Sequence, residues 1–177
     1  MPAPIEDYAL LSDCRTGALV SKEGSIDWLC LPRFDAPSLF GALLGDASNG
    51  CWSLRPVDAA ATSQRHYVSD TFILVTTWET ADGVAEVHDF MPRSDDRTDL
   101  VRRVVGVSGT VELTTELRMH FDYARALPWV RQVGTPSAPA LHAAAGPEAV
   151  AIRGTVLTAS DHVHTGLIRV SAGETQD

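Results

Sequence analysis

Two runs rich in β-branched and aromatic residues, Phe72–Thr80 and Val84–Phe90, are separated only by Ala81, Asp82 and Gly83. An Asp-Gly step between such runs predicts a hairpin, because Gly supplies the positive φ that a tight turn needs. The same pattern recurs along the chain. Tyr8–Ser12 and Thr16–Val20 flank a turn at Asp13-Cys14-Arg15, and Lys22-Glu23-Gly24 makes a turn before a strand at Ile26–Leu31. Leu100–Ser108 and Val111–Met119 meet at Gly109-Thr110, which predicts a second hairpin, and Ala149–Leu157 and Thr165–Ser171 add later strands. Strands at this spacing predict an all-β fold, an antiparallel β-sandwich, as a single domain over residues 1–177. One short helix is expected near residues 37–44, with Pro37 at its start and Gly45 as its stop. The stretch Gly134–Pro147, rich in Ala, Pro and Gly, is expected to be a loop.

The chain of 177 residues is long enough for a substantial core, and its 45% hydrophobic and 21% charged residues are ordinary for a globular domain. A net charge of -9 without a basic cluster argues against a nucleic-acid partner, since phosphate binding needs concentrated Lys and Arg. Apolar runs such as Phe72-Ile73-Leu74-Val75 are strand-sized and far too short for a membrane span. The first residues, Met1 to Asp7, carry neither the basic region nor the apolar core of a secretory signal. Cys14, Cys30 and Cys51 are odd in number and fit no zinc spacing, so reduced, structural thiols in a cytoplasmic protein are expected. No P-loop or GxGxxG is present, Ser12, Ser21 and Ser25 lie in no GxSxG context, and no cofactor is implied.

Chemistry concentrates in Gly24–Asp35, where Asp27, Trp28, Arg33, Phe34 and Asp35 stand together. Carboxylates beside aromatics suit a surface that binds a sugar ring or a neighbouring domain. A glycosidase of the common type needs two carboxyl groups flanking the scissile bond. Asp27, Asp35, Asp89 and Asp122 are the candidates, although turn capping and solvated strand faces are commoner roles for such residues. Arg33 can grip a partner's carboxylate or carbonyl groups, or Arg33 and Asp35 can simply pair with each other or cap the helix at Ser38. His162 and His164 form an HxH pair that a strand would turn to one face, but a metal site would need a third ligand, with Asp161 or His66 the only options. Among the tryptophans, Trp78 is expected in the core. Trp28, alternating with Ile26 and Cys30, is also expected to be buried, whereas Trp129, between Pro128 and Arg131, is the candidate for an exposed sugar-stacking platform.

Several ordered motifs also carry a family resemblance. Ile5-Glu6-Asp7-Tyr8-Ala9-Leu10, Asp13-Cys14-Arg15-Thr16, Ala18-Leu19-Val20 and Gly24–Asp35 open it. Gly83, Asp89-Phe90-Met91-Pro92, Arg103–Gly109 and Phe121-Asp122-Tyr123-Ala124-Arg125 continue it. Together they resemble the opening of bacterial trehalase-like and glucoamylase-like proteins of glycoside hydrolase family 15. The resemblance covers most of residues 5–131 and implies the N-terminal β-sandwich, of supersandwich-like type, of a two-domain enzyme. The second domain would be an (α/α) toroid that hydrolyses α-linked glucosides with inversion. Both catalytic glutamates of that family lie in the toroid, and no position here corresponds to them. The chain is therefore expected to be non-catalytic, acting on trehalose or α-glucan oligosaccharides only as part of the larger enzyme, with an independent carbohydrate-binding module as the alternative. Asp27, Trp28, Arg33, Phe34 and Asp35 would then form an interdomain or substrate rim. Ala124, where relatives often carry Gly, is a departure that bears on substrate class rather than fold. Because the last strand is followed only by Ala172–Asp177, an unpaired sheet edge that could join two copies is also expected.

Overall fold

A computed structural model describes residues 3–177; Met1 and Pro2, the start of the segment read for a signal, lie outside the described residues. The chain is all-β and antiparallel. The strands are β1 (Tyr8–Ser12), β2 (Gly17–Ser21), β3 (Ser25–Cys30), β4 (Ser38–Phe40), β5 (Cys51–Pro56), β6 (Thr62–Tyr67), β7 (Leu74–Thr80) and β8 (Gly83–Phe90). After them come β9 (Val101–Arg118), β10 (Trp129–Gln132), β11 (Ala140–Ala145), β12 (Glu148–Arg153), β13 (Thr158–Ser160), β14 (Val163–Ser171) and β15 (Thr175–Gln176). Twelve of them build one sheet whose main path runs β1-β2-β3-β5-β9-β8-β7-β6, and β10-β11-β12 form a separate small sheet.

The predicted hairpin at Asp82-Gly83 joins β7 to β8, paired from Leu74↔Asp89 to Thr80↔Gly83. The second predicted hairpin, at Gly109-Thr110, does not form. Residues 101–118 are instead one strand, β9, that runs through both halves of the sheet. Its first half pairs with β8 from Phe90↔Val101 to Gly83↔Gly109, and its second half pairs with β14 from Ser171↔Thr110 to Val163↔Arg118. Gly109 adopts φ +60 and lies so close to the β7–β8 turn that a Cβ would stand 2.0 Å from the Asp82 carbonyl oxygen. The glycine therefore lets a continuous strand bend beneath a turn, a role whose local signature is the same as that of a hairpin.

Twisted sheets of this size tend to curl, and here the two ends meet. The Tyr67 hydroxyl donates to the Leu10 carbonyl at 3.0 Å and accepts from the Leu10 N–H at 2.8 Å. Arg65 donates to the carbonyls of Val20 and Asp7. Side chains of β6 thus seal the rim against β1 where backbone pairing stops. Leu11, Ala18, Val20, Ile26, Leu29 and Leu74 fill one core inside the curl, and Leu54, Trp78, Val87, Val104 and Leu113 fill a second. Trp78 is buried, as its strand position suggested.

Between the cores lies a buried ion pair. Arg102 and Asp89 have side chains only 1% exposed, with Nε donating to the carboxylate at 2.8 Å and Nη2 at 3.3 Å. The same guanidinium donates to the carbonyls of Trp52 at 2.6 Å and Gly24 at 2.8 Å, and it lies 5.4 Å from the centre of the Trp52 ring. Gly24 is required there: its φ is +78, and a Cβ would meet the Leu54 carbonyl oxygen at 2.5 Å.

Other expectations need correction. The stretch at 37–44 is a short strand, β4, followed by a single 3-10 turn at Ala42–Leu44, because Leu39 and Phe40 are drawn into the core beside β3. The expected loop Gly134–Pro147 contains β11, whose Ala143 is fully buried against the first core. Small alanines on both faces carry no alternation for a reader to detect. The final residues do not trail away. Thr175 and Gln176 pair with Val105 and Val104, and the Asp177 carboxylate pairs with Arg103.

Candidate functional site

The outer face of β1-β2-β3 is set by register. Directly opposed residues of antiparallel strands project to the same side. Leu11 opposes Ala18, which opposes Leu29, and all three are buried. The adjacent row, Leu10↔Leu19↔Trp28, must then face outward. Leu10 is 39% exposed, and Leu19 and Trp28 are half-buried.

Trp28 was expected on the inner face with Ile26, and the structure places it on the other. The β2–β3 register shifts between Leu19↔Trp28 and Val20↔Ile26, so Asp27 is an extra residue in β3. Leu19 and Val20 face opposite sides, and therefore so do Trp28 and Ile26. A bulge of this kind re-aims the side chains beyond it. Its carboxylate is secured locally: Asp27 accepts a hydrogen bond from the Tyr8 hydroxyl at 2.7 Å and another from the Ser25 hydroxyl. Burial, followed by the hydrogen bond to Asp27, pushes the Tyr8 hydroxyl well above the ordinary tyrosine range.

A second element brings an aromatic to this face. After β9 the chain makes one short helical turn, α1 (Phe121–Ala124), in which Asp122 and Tyr123 have left-handed backbone angles. With Ala124 at φ 67, three successive non-glycine residues lie at positive φ. Such conformations cost on the order of 1–3 kcal/mol each and persist only where their surroundings hold them. Here Phe121 is buried, Phe121 and Ala126 exchange backbone hydrogen bonds, and the Tyr123 N–H donates to the Ser38 hydroxyl at 3.0 Å. The result sets the Tyr123 ring 6.1 Å from Trp28 at a tilt of 41°, with Tyr123 itself 41% exposed.

Arg33, Phe34 and Asp35 occupy the loop after β3. Arg33 and Asp35 grip each other, Nε to Oδ1 at 2.8 Å and Nη2 to Oδ2 at 3.3 Å, in full solvent. That hydrogen bond holds the Asp35 carboxyl below its usual range and raises the Arg33 guanidinium. Phe34 donates its N–H to the Arg15 carbonyl, while its ring lies over Gly17, whose open side the Leu10 side chain also borders, and remains 61% exposed. Of the residues singled out from sequence, Trp28 and Phe34 therefore border one apolar row, and Asp27 anchors its bulge. Sequence reasoning missed Leu10, Leu19 and Tyr123, which come from separate elements and meet only in the fold.

Trp129 is elsewhere. It stands 82% exposed on the outer face of the small sheet, opposite Ala144 and beside the Arg131↔His142 pair. The other carboxylates considered for acid–base chemistry have local partners too: Asp89 is enclosed with Arg102, and Asp122 lies 3.9 Å from Arg125. His162 does not share a strand face with His164; it sits with Asp161 in the two-residue turn between β13 and β14. Among the described residues no group of three or more His, Cys, Asp or Glu is placed to hold a metal ion. Nor is any helix among them long and apolar enough to cross a membrane.

The fold is an antiparallel β-domain, and this face of it carries an apolar row. The family model for the trehalase-like N-terminal domain matches residues 1–153, and the chain belongs to that family. It is 41% identical over 141 residues to a trehalase of Mycolicibacterium smegmatis and to a trehalase of Mycobacterium tuberculosis, in each case across 69% of this chain. Trehalase 1 of Sulfolobus acidocaldarius is 38% identical over 118 residues, 66% of this chain and 20% of its own length. The chain spans only 21% of the length of the two mycobacterial relatives. No solved structure matches significantly.

Proposed function

We propose that this chain is the non-catalytic N-terminal domain of a glycosidase acting on an α-linked glucoside, trehalose or an α-glucan oligosaccharide, and that it supports a catalytic (α/α) toroid in the same polypeptide. The carrying observation is the match to the trehalase-like N-terminal family over residues 1–153, within relatives called trehalase of which this chain spans 21%. The local pairing of Asp27, Asp35, Asp89 and Asp122 supports a role other than acid–base catalysis. The free thiols Cys14, Cys30 and Cys51 suit a reducing, cytoplasmic setting. The test compares this chain with the full-length enzyme in a glucose-release assay on trehalose and maltooligosaccharides. Activity is expected only in the full-length protein, and glucose release by this chain alone would overturn the proposal.

One observation favours a second reading, the carbohydrate-binding module. Trp129 projects from an alanine-rich sheet face with Arg131 and His142 alongside, and an exposed indole can stack on the apolar side of a pyranose. Calorimetric titration of this chain with the same sugars separates the two, since a supporting domain gives no heat of binding.

A further inference from the structure

We infer that the outward row Leu10–Leu19–Trp28–Tyr123, extended by Phe34, is the surface on which the catalytic part of the same polypeptide docks. The inference rests on the function proposed above and goes beyond it by naming the contact. The row crosses three strands and one turn, so it is a continuous apolar strip rather than scattered exposed residues. Three of its residues are exposed, Leu10 at 39%, Tyr123 at 41% and Phe34 at 61%, and Leu19 and Trp28 between them are half-buried.

The polar groups around the strip have internal partners. Asp27 is bonded to Tyr8 and Ser25, and Arg33 is bonded to Asp35. What a partner meets is therefore an apolar centre with a polar edge already satisfied, the anatomy of a protein–protein contact. The backbone points the same way. Three consecutive left-handed residues, Asp122, Tyr123 and Ala124, are held in place to bring one aromatic ring up to Trp28. Strain kept in an exposed turn is a mark of a functional surface.

The occupant follows from chain length and continuity. In the two mycobacterial relatives, 69% of this chain matches 21% of their length, so most of each relative lies outside this domain and is joined to it covalently. The strip is also continuous with Gly24–Asp35, the segment that the family resemblance singles out. Trp129, on a different sheet and flanked by Arg131 and His142, is not part of it.

The experiment is covalent footprinting of the full-length enzyme, read residue by residue by mass spectrometry against the denatured protein. Phe34 and Tyr123 are expected to be labelled several-fold less than their exposure in this domain implies, while Trp129 is labelled close to its denatured level. Strong labelling of Phe34 and Tyr123 with protection of Trp129 would overturn the strip but leave the proposed function standing, with docking moved to the small sheet. Strong labelling of all three would overturn the strip and exclude the small sheet as well, while the proposed function is decided separately by the glucose-release assay. A Leu19→Asp variant of the full-length enzyme is expected to restore labelling of Phe34 and Tyr123 while the buried Trp78 stays protected, which shows that the domain remains folded. Unchanged protection of Phe34 and Tyr123 in that variant would also refute the inference.

Discussion

Replacing Arg102 with Met tests the claim that one buried ion pair organises this domain. The guanidinium makes four hydrogen bonds: two to the Asp89 carboxylate, one to the Trp52 carbonyl and one to the Gly24 carbonyl. Methionine fills much of the volume but answers none of them. Removing one partner of a buried pair leaves an uncompensated charge and costs about 3–5 kcal/mol. The Trp52 carbonyl also loses its side-chain donor, adding about 1 kcal/mol if no other group replaces it. Gly24 loses less, because its carbonyl still accepts the Leu54 N–H at 3.0 Å. Against a typical stability of about 5–15 kcal/mol, such a loss takes about a fifth or more of the total. For a domain of this size it lowers the melting temperature by about 6–20 °C.

The assay is denaturant unfolding of the four members of a double-mutant cycle: wild type, Arg102→Met, Asp89→Leu and Asp89→Leu/Arg102→Met. The double variant buries no charge, so it is expected to be more stable than either single variant, with a coupling energy of about 2 kcal/mol or more. If Arg102→Met costs less than about 1 kcal/mol, or if the two losses simply add, the pair does not organise this domain.

Three further outcomes are expected. Gly24→Ala combines a positive φ with a Cβ 2.5 Å from a backbone oxygen, so chemical denaturation should show a loss of roughly 2–5 kcal/mol. Burial lowers the proton affinity of His120 and His164, and nearby His162 adds to the effect in both, with Arg118 contributing at His120. The folded state then binds fewer protons than the unfolded chain. The stability these groups contribute is complete above the ordinary histidine value of about 6.5 and is lost as pH falls below it, so the denaturation midpoint should drop between pH 7.5 and pH 5 and should drop less in a His164→Gln variant. Burial pushes the Cys51 thiol up to about 11 and raises Cys30, whereas Cys14 is exposed, so iodoacetamide at pH 8 should modify Cys14 first and the other two only on unfolding, as read by peptide mass.

Where the chain's local chemistry has one solution, the fold was legible. Asp82-Gly83 between β-branched runs makes the hairpin it predicts, and Trp129, hemmed by Pro128 and Arg131, stands exposed. Where one local pattern has two solutions, tertiary context chose between them. Gly109 serves a bend as readily as a turn, and only pairing with β14 shows which. Pro37–Leu44 resembles a helix start until Leu39 and Phe40 are claimed by the core. Asp27 reads as an ordinary strand residue because a bulge is a relation between two strands and leaves no mark on one. The Arg102–Asp89 pair joins residues 13 apart, but its other partners, Gly24 and Trp52, are 78 and 50 residues distant. No periodicity reports such a contact.

The buried pair and the exposed row are parts of one arrangement. Arg102 holds the carbonyls of Gly24 and Trp52, and the next rungs are Ser25↔Ser53 and Ile26↔Trp52, so the guanidinium sits where β3 joins β5. With Ile26 fixed inward, the orientation of everything after it depends on whether Asp27 is paired or bulged. Hydrogen bonds from Tyr8 and Ser25 secure the bulge, and Trp28 consequently turns out toward Tyr123. A one-residue slip would place the indole inside and leave the face without its largest ring. Asp27 therefore acts on the surface by setting a strand's phase, which explains why a carboxylate that resembled a catalytic candidate in sequence has both its oxygens occupied by neighbouring hydroxyls.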